Sequence, residues 1–141
     1  MSRTRSDMSE AAKIIRDLHS PYWSERQSAV RRIAEIGSPE ILRDLLQGLR
    51  DEKWYIREAA SAGIRALDCP DLVPDLVACL ENGDEILRNA AALALGNICL
   101  PGTASALERV LTDPDCRVRK SARISLERIR SALSRQQPVT P

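Results

Sequence analysis

The segment 56–64 reads IREAASAGI, and 31 residues further along, the segment 87–95 reads LRNAAALAL. The same step relates four arginines, four alanines and two sets of aliphatic residues: Arg26, Arg57, Arg88 and Arg119; Ala29, Ala60, Ala91 and Ala122; Ile33, Ile64, Leu95 and Leu126; Ile36, Leu67, Ile98 and Ile129. A period of this length that holds without a gap is typical of repeat architectures, in which each unit buries its apolar face against its neighbours.

Each period is predicted to fold as two helices. Ile56, Ala60 and Ile64 have the spacing of one helix face, and the equivalent residues repeat it. The first helix of each pair is predicted to begin at a residue type that commonly caps helices: Ser20, Asp51, Asn82 and Asp113. Prolines then end this helix and open the second one: Pro39, Pro70 and Pro101. In the middle repeat, Pro74 is expected in the first turn of the second helix.

The period also sets the expected boundaries. We expect one array of about eight helices over residues 9–134, divided as follows: half repeat 9–19, repeats 20–50, 51–81 and 82–112, and half repeat 113–134. Glu108 and Arg123 replace apolar or small residues of the other repeats, as expected for the polar outer face of a terminal repeat. Residues 1–8 and 135–141 are expected to be disordered tails.

Composition narrows the function classes. Of the 141 residues, 43% are hydrophobic but only 3% are aromatic, so the core is expected to be aliphatic. No apolar run approaches the roughly 20 residues of a membrane span, and the first residues lack the apolar stretch of a secretory signal. We therefore expect a cytoplasmic protein with reduced cysteines. Because His19 is the only histidine and the four cysteines lack zinc-site spacing, we expect no metal, no cofactor and no catalytic site.

Charge is unevenly distributed, although the net charge is only +1. Residues 66–115 carry nine acidic side chains against Arg88 and Arg109, whereas residues 116–141 carry seven basic side chains against Glu127. The acidic stretch argues against a continuous surface for nucleic acid. An alternative that stays open is a nucleic-acid binder that uses the basic C-terminal helix, through Arg117, Arg119, Lys120, Arg123, Arg128 and Arg130.

The two segments quoted first, with Gly96 after the second, resemble HEAT repeats. They are most similar to the short phycobilisome-lyase-type repeat, with its pattern V-R-x-x-A-A-x-A-L-G, and the likeness covers roughly residues 9–133. Glu25 departs from the pattern, because the equivalent residues are the apolar Ile56, Leu87 and Val118. The resemblance implies an all-α, right-handed α-solenoid of HEAT-like helix pairs, with the second helices on its concave side.

The resemblance also implies a non-enzymatic scaffold or adaptor that binds a partner protein, with no small-molecule substrate. Iron-dependent hydroxylases that resemble such arrays need repeated His-Glu pairs, which one histidine cannot supply. A further alternative that stays open is an accessory or bilin-lyase-type subunit that handles a tetrapyrrole-bearing protein.

Two surfaces are candidates for the partner. The first is an aromatic edge in which Trp23 and Trp54 occupy the same position of adjacent repeats: Tyr22, Trp23, Trp54 and Tyr55. The second is the expected concave face, with small residues between charged ones: Arg16, Arg43, Gln47, Gly48, Ala78, Cys79, Arg109 and Val110. The recurring arginines are expected instead to form a structural ladder to loop carbonyls or capping side chains: Arg26, Arg57, Arg88 and Arg119.

Overall fold

A computed structural model of the chain describes residues 9–36 and 38–136. The chain divides into two compact units, residues 1–69 and residues 70–141. The expected tail 1–8 and residues 137–141 of the expected C-terminal tail lie outside the described residues. No β-strand occurs between residues 9 and 136, Gly37 aside, and the prediction of an all-α solenoid class is confirmed.

The first unit contains four helices: α1 (Glu10–Leu18), α2 (Trp23–Ile33), α3 (Pro39–Gly48) and α4 (Trp54–Ala66). The consecutive helices α1 and α2 pack together, as do α3 and α4, and the pairs stack through α2 against α4 and α1 against α3. His19 lies at the end of α1 with its Nε2 3.1 Å from Oδ1 of Asp44 on α3. The single histidine therefore helps to join two stacked helices.

The second unit contains the other four described helices: α5 (Val73–Asn82), α6 (Glu85–Ile98), α7 (Ala104–Arg109) and α8 (Cys116–Gln136). Short 3₁₀ turns that begin at Pro70 and Pro101 precede α5 and α7, and Pro74 lies in the first turn of α5, as predicted. Helix α6 packs against α5 and α8, and α7 packs against α8. Helix α8 continues through Gln136, two residues past the boundary expected from the sequence.

The aliphatic core follows the 31-residue period. The repeated alanines and the aliphatic residues four positions after them are all buried, with at most 4% exposure: Ala29, Ala60, Ala91, Ala122, Ile33, Ile64, Leu95 and Leu126. The leucines Leu45, Leu76 and Leu107 of the second helices are equally buried. The repeat positions therefore mark the residues that face other helices, which confirms the core expected from the sequence.

The predicted starts of the first helices are wrong by two residues. Helices α2, α4, α6 and α8 begin at Trp23, Trp54, Glu85 and Cys116, not after the polar residues at 20, 51, 82 and 113. Asn82 is the last residue of α5, and the side chain that caps α6 is Asp84, which accepts a hydrogen bond from the backbone N–H of Leu87 at 2.9 Å. Asn82 therefore does not cap α6.

The polar residues at the other three predicted starts form tight turns instead. The side-chain oxygens of Ser20, Asp51 and Asp113 each accept a hydrogen bond from the backbone N–H two residues later, at 2.9–3.0 Å. This is the Asx or Ser turn, in which the side chain imitates a backbone turn. Ser20 also donates to Glu25, so the charged residue that departs from the apolar pattern has a polar partner.

Small residues let the helices of each pair and stack approach closely. A Cβ atom on Gly48 would lie 2.9 Å from the Cβ of Ala60, so α3 and α4 touch nearly backbone to backbone. A Cβ atom on Gly96 would lie 2.8 Å from the Cα of Ser125 and closer still to its hydroxyl. Ser125 is buried and donates from Oγ to the carbonyl of Ala92 at 2.7 Å, so α8 is held against α6 at this point.

We predict that Gly96→Ala destabilises the protein by about 1–3 kcal/mol, because the added methyl group has no space between α6 and α8. Gly102→Ala is the matched control, since a Cβ there meets nothing within 4 Å and no glycine in the described chain has a positive φ. Urea unfolding followed by circular dichroism measures both changes. Equal unfolding midpoints for the two variants would contradict the close contact.

Candidate protein-binding surfaces

The four repeated arginines hold the loops that precede the first helices. Each guanidinium donates from Nη1 to a backbone carbonyl five or six residues earlier, at 2.6–2.9 Å; the accepting residues are Ser20, Asp51, Gly83 and Asp113. Arg57 and Arg119 donate to a second carbonyl each, those of Glu52 and Pro114. Because the arginine lies within the helix and its acceptor lies in the loop, each bond sets where the helix begins relative to its loop.

Two of these arginines also contact the following helix pair. Arg26 is 7% exposed and lies over the ring of Tyr55, with its guanidinium carbon 4.7 Å from the ring centre. Arg88 donates from Nε and Nη2 to the two carboxylate oxygens of Asp113, at 2.9 and 3.0 Å. The first contact is a cation–π pair and the second a bidentate ion pair, and both use the planar guanidinium in ways that lysine does not match.

The aromatic edge lies on the first turns of α2 and α4, because Trp23 and Trp54 are the first residues of these helices. Tyr22, Trp23 and Trp54 are 66%, 66% and 64% exposed, whereas Tyr55 is half-buried. These three are the most exposed large hydrophobic side chains of the described chain. Helices α2 and α4 pack against each other in the first unit, and Arg26 of α2 covers Tyr55 of α4.

Tyr55 anchors this edge to the protein. Its ring meets Trp54 edge to face, with ring centres 5.9 Å apart and planes at 86°, while Arg26 covers Tyr55. The guanidinium of Arg26 is held in turn by the carbonyl of Ser20, two residues before Tyr22. The aromatic edge is therefore built on a chain of contacts that joins the loop before α2 to the start of α4.

The residues expected on a concave face divide into exposed and buried sets. In the first unit, Arg16, Arg43 and Gln47 are exposed, whereas Gly48 is buried against Ala60. Gly48 thus serves the packing of α3 on α4 and offers no surface to a partner.

In the second unit, Ala78 and Arg109 are exposed, and Arg109 pairs with Glu81 at 2.9 Å. Cys79 is half-buried, and burial together with the nearby Asp75 raises the pKa of its thiol, which keeps it protonated and weakly nucleophilic. Val110 is buried, so it belongs to the interior of the unit.

The second unit contains a cleft that the sequence did not indicate. It lies between the end of α6 and α8 and is lined by Arg128, already named in the basic C-terminal helix, and by Ile124, Ser131 and Arg135 along the same stripe of α8. The 4- and 7-residue spacing of these positions is visible in the sequence, but only the packing of α6 on α8 shows which stripe lies at an edge. Asp84 and Asp115 lie at the starts of α6 and α8, and the sequence did not predict this role, although the two residues are 31 positions apart.

Residues 9–36 and 38–136 lack two kinds of feature. No group of three or more His, Cys, Asp or Glu side chains is arranged to hold a metal ion. None of the helices there has both the length and the apolar character needed to cross a membrane.

The comparison with protein families matches residues 42–127 to HEAT repeats. This match covers more than half of the chain, and the protein therefore belongs to the HEAT-repeat family. No curated protein matches the chain significantly. HEAT repeats are generally scaffolds for protein interaction and are typically non-enzymatic, which agrees with the coarse class expected from the sequence.

We predict that Asp113→Asn lowers the free energy of unfolding at neutral pH by about 1–3 kcal/mol, because Arg88 loses its charged partner. The hydrogen bonds from Arg88 lower the pKa of Asp113 below its usual 3.8 despite burial, and those bonds raise the pKa of Arg88. A lowered folded-state pKa means that the stabilisation is complete above pH 3.8 and is lost as the pH falls further. The difference between parent and variant should therefore shrink below pH 3.8.

Urea unfolding at neutral pH and at several acidic pH values measures this effect. Asp71→Asn is the matched control, since Asp71 is exposed in the 3₁₀ turn before α5 and should show no such difference. A gap between parent and Asp113→Asn that stays constant with pH would contradict a stabilising charge on Asp113.

Proposed function

We propose that the protein is a non-enzymatic interaction module whose aromatic edge binds a partner protein. The observation that carries this proposal is the exposure of Tyr22, Trp23 and Trp54, at about two thirds each, in a chain with only four aromatic side chains. Aromatic residues are enriched among the hot spots of protein interfaces, since they bury a large apolar area with few rotatable bonds.

Tyr55 and Arg26 strengthen this proposal, because they hold part of the aromatic edge in place. Because Arg26 covers Tyr55 and Tyr55 meets Trp54 edge to face, part of the edge is already held in place in the free protein. A partner that binds an ordered surface spends less free energy on fixing side chains, which raises its affinity. The two tryptophans are the first residues of α2 and α4, and these two helices pack against each other.

The exposed residues of the expected concave face are a second part of the proposal. Arg16, Arg43 and Gln47 in the first unit, and Ala78 and Arg109 in the second, remain candidates for additional contacts with the same partner. Their polar character suits the rim of an interface more than its centre.

The phycobilisome-lyase-type subclass is the finer form of the family assignment, and with it comes the accessory role towards a tetrapyrrole-bearing protein. It rests on the sequence pattern alone. A change in bilin absorption when the protein is mixed with free bilin or with a bilin-carrying protein would support it, and an unchanged spectrum would argue for a different partner class.

We predict that the double change Trp23→Ala and Trp54→Ala weakens binding of the partner roughly 30-fold or more, as expected for the loss of a hot spot of about 2 kcal/mol. The partner is first captured from the native source with the parent protein and identified by mass spectrometry. Its dissociation constant is then measured with purified components. Folding should be retained, because both side chains are mostly exposed.

Ile86→Ala is the matched control: Ile86 is 48% exposed and lies 31 residues after Tyr55, but in the second unit. The two tryptophans are also the only ones in the chain, so intrinsic fluorescence reports on this edge alone. Partner binding should shift the emission to shorter wavelength. Equal affinity of the parent and the double variant, with no emission shift, would show that the partner binds elsewhere.

A further inference from the structure

The second unit contains a cleft of about 570 Å³ between the C-terminal end of α6 and α8, which we call the α6–α8 cleft. Its lining includes Asn97, Ile124, Glu127, Arg128, Ser131 and Arg135. None of these residues belongs to the aromatic edge or to the surface expected on the concave side. The cleft therefore stands apart from the surfaces proposed above.

The cleft exists because α8 is longer than the helix on which it packs. Helix α6 ends at Ile98, and Cys99 turns the chain away with a left-handed backbone, at φ 59°. The thiol of Cys99 lies 3.6 Å from the carbonyl oxygen of Arg128, which marks where α6 stops beside α8. Residues 129–136 then continue α8 past this point, for about 12 Å at 1.5 Å per residue.

The charged side of the cleft is positive. Arg128 and Arg135 are seven residues apart and therefore lie on the same side of α8, two turns from each other. Arg128 donates from Nη1 to Oδ1 of Asn97 at 3.3 Å, and Arg135 donates from Nε to the carbonyl of Ser131 at 3.4 Å. Both arginines are exposed, and Glu127 supplies the one opposing carboxylate on the helix.

The same stripe also offers an apolar contact. Ile124 lies one turn before Arg128 and is 40% exposed, one of the few large aliphatic side chains of the described chain that is so accessible. An apolar contact beside two guanidinium groups is the pattern expected for a peptide that carries acidic and apolar side chains. Arginine pairs with carboxylates through two parallel hydrogen bonds, which adds direction to the attraction.

We propose that the α6–α8 cleft binds an acidic peptide segment of a partner protein. Carboxylates of the segment pair with Arg128 and Arg135, and one of its apolar side chains covers Ile124. The distribution of charge over the second unit also favours a short acidic segment over nucleic acid. Residues 70–115 of the same unit carry eight acidic side chains against two basic ones, and these would repel an extended phosphate backbone.

The test uses fluorescence anisotropy at low salt, with a labelled peptide of Glu, Asp and Leu as the probe and a Lys-for-Glu peptide of the same length as the negative control. The acidic peptide should bind and the basic one should not. The double change Arg128→Glu and Arg135→Glu should weaken binding about tenfold or more, equivalent to at least 1.4 kcal/mol. Ile124→Ala should also weaken binding, and Glu127→Gln should strengthen it.

The matched control is Arg123→Glu with Arg130→Glu, which changes the charge of α8 equally but lies outside the α6–α8 cleft. Equal weakening by the two double variants would overturn the proposal, because the attraction would then come from the general field of α8. Tighter binding of a DNA or RNA oligonucleotide than of the peptide would also overturn it, as would no binding of the peptide to the parent.

Two further measurements keep the result decisive. If the charge-reversal variant loses its helical circular dichroism, Arg128→Gln with Arg135→Gln removes the charge with a smaller disturbance and should still weaken peptide binding. The variant Trp23→Ala with Trp54→Ala should bind the acidic peptide like the parent, so failure of the aromatic edge and failure of the α6–α8 cleft are distinguishable.

Discussion

Each first helix of this protein starts under one recurring restraint, the hydrogen bond from an arginine of the helix to the loop that precedes it. The acceptors are backbone carbonyls five or six residues earlier, and the arrangement returns at Arg26, Arg57, Arg88 and Arg119. A loop carbonyl that is not paired in the helix needs such a donor. Because the restraint repeats with the 31-residue period, α2, α4, α6 and α8 each begin at the same position of their repeat. The residue at that position is therefore the first residue of a helix in every repeat.

The aromatic edge depends directly on this restraint. Trp23 and Trp54 are the first residues of α2 and α4, and Arg26 contributes both the bond to the loop and the contact with Tyr55. In the second unit, the equivalent arginine, Arg88, forms an ion pair with Asp113. The same repeat position thus supports an aromatic surface in one unit and an internal ion pair in the other.

The two units also differ in the chemistry that they leave exposed. The first presents aromatic rings, whereas the second presents the positive face of α8 beside the end of α6. The difference arises without any change of fold, since a HEAT-like helix pair needs only its small and aliphatic positions for packing. Residues between those positions are free to differ from repeat to repeat, and this freedom is how a scaffold family acquires different partners.

The sequence alone determined the period, the eight helices and the buried positions, because burial of aliphatic side chains imposes a spacing that can be counted. It also identified the aromatic residues and the repeated arginines. Where a residue type fits more than one local structure, the tertiary structure decided which one forms. Ser20, Asp51 and Asp113 are equally suited to a helix cap or an Asx turn, and only the backbone path selects the turn. Likewise, the sequence does not show that Gly48 and Val110 are interior residues or that a cleft lies between α6 and α8. These features come from close packing and from the unequal length of two helices, and both depend on contacts between residues distant in the chain.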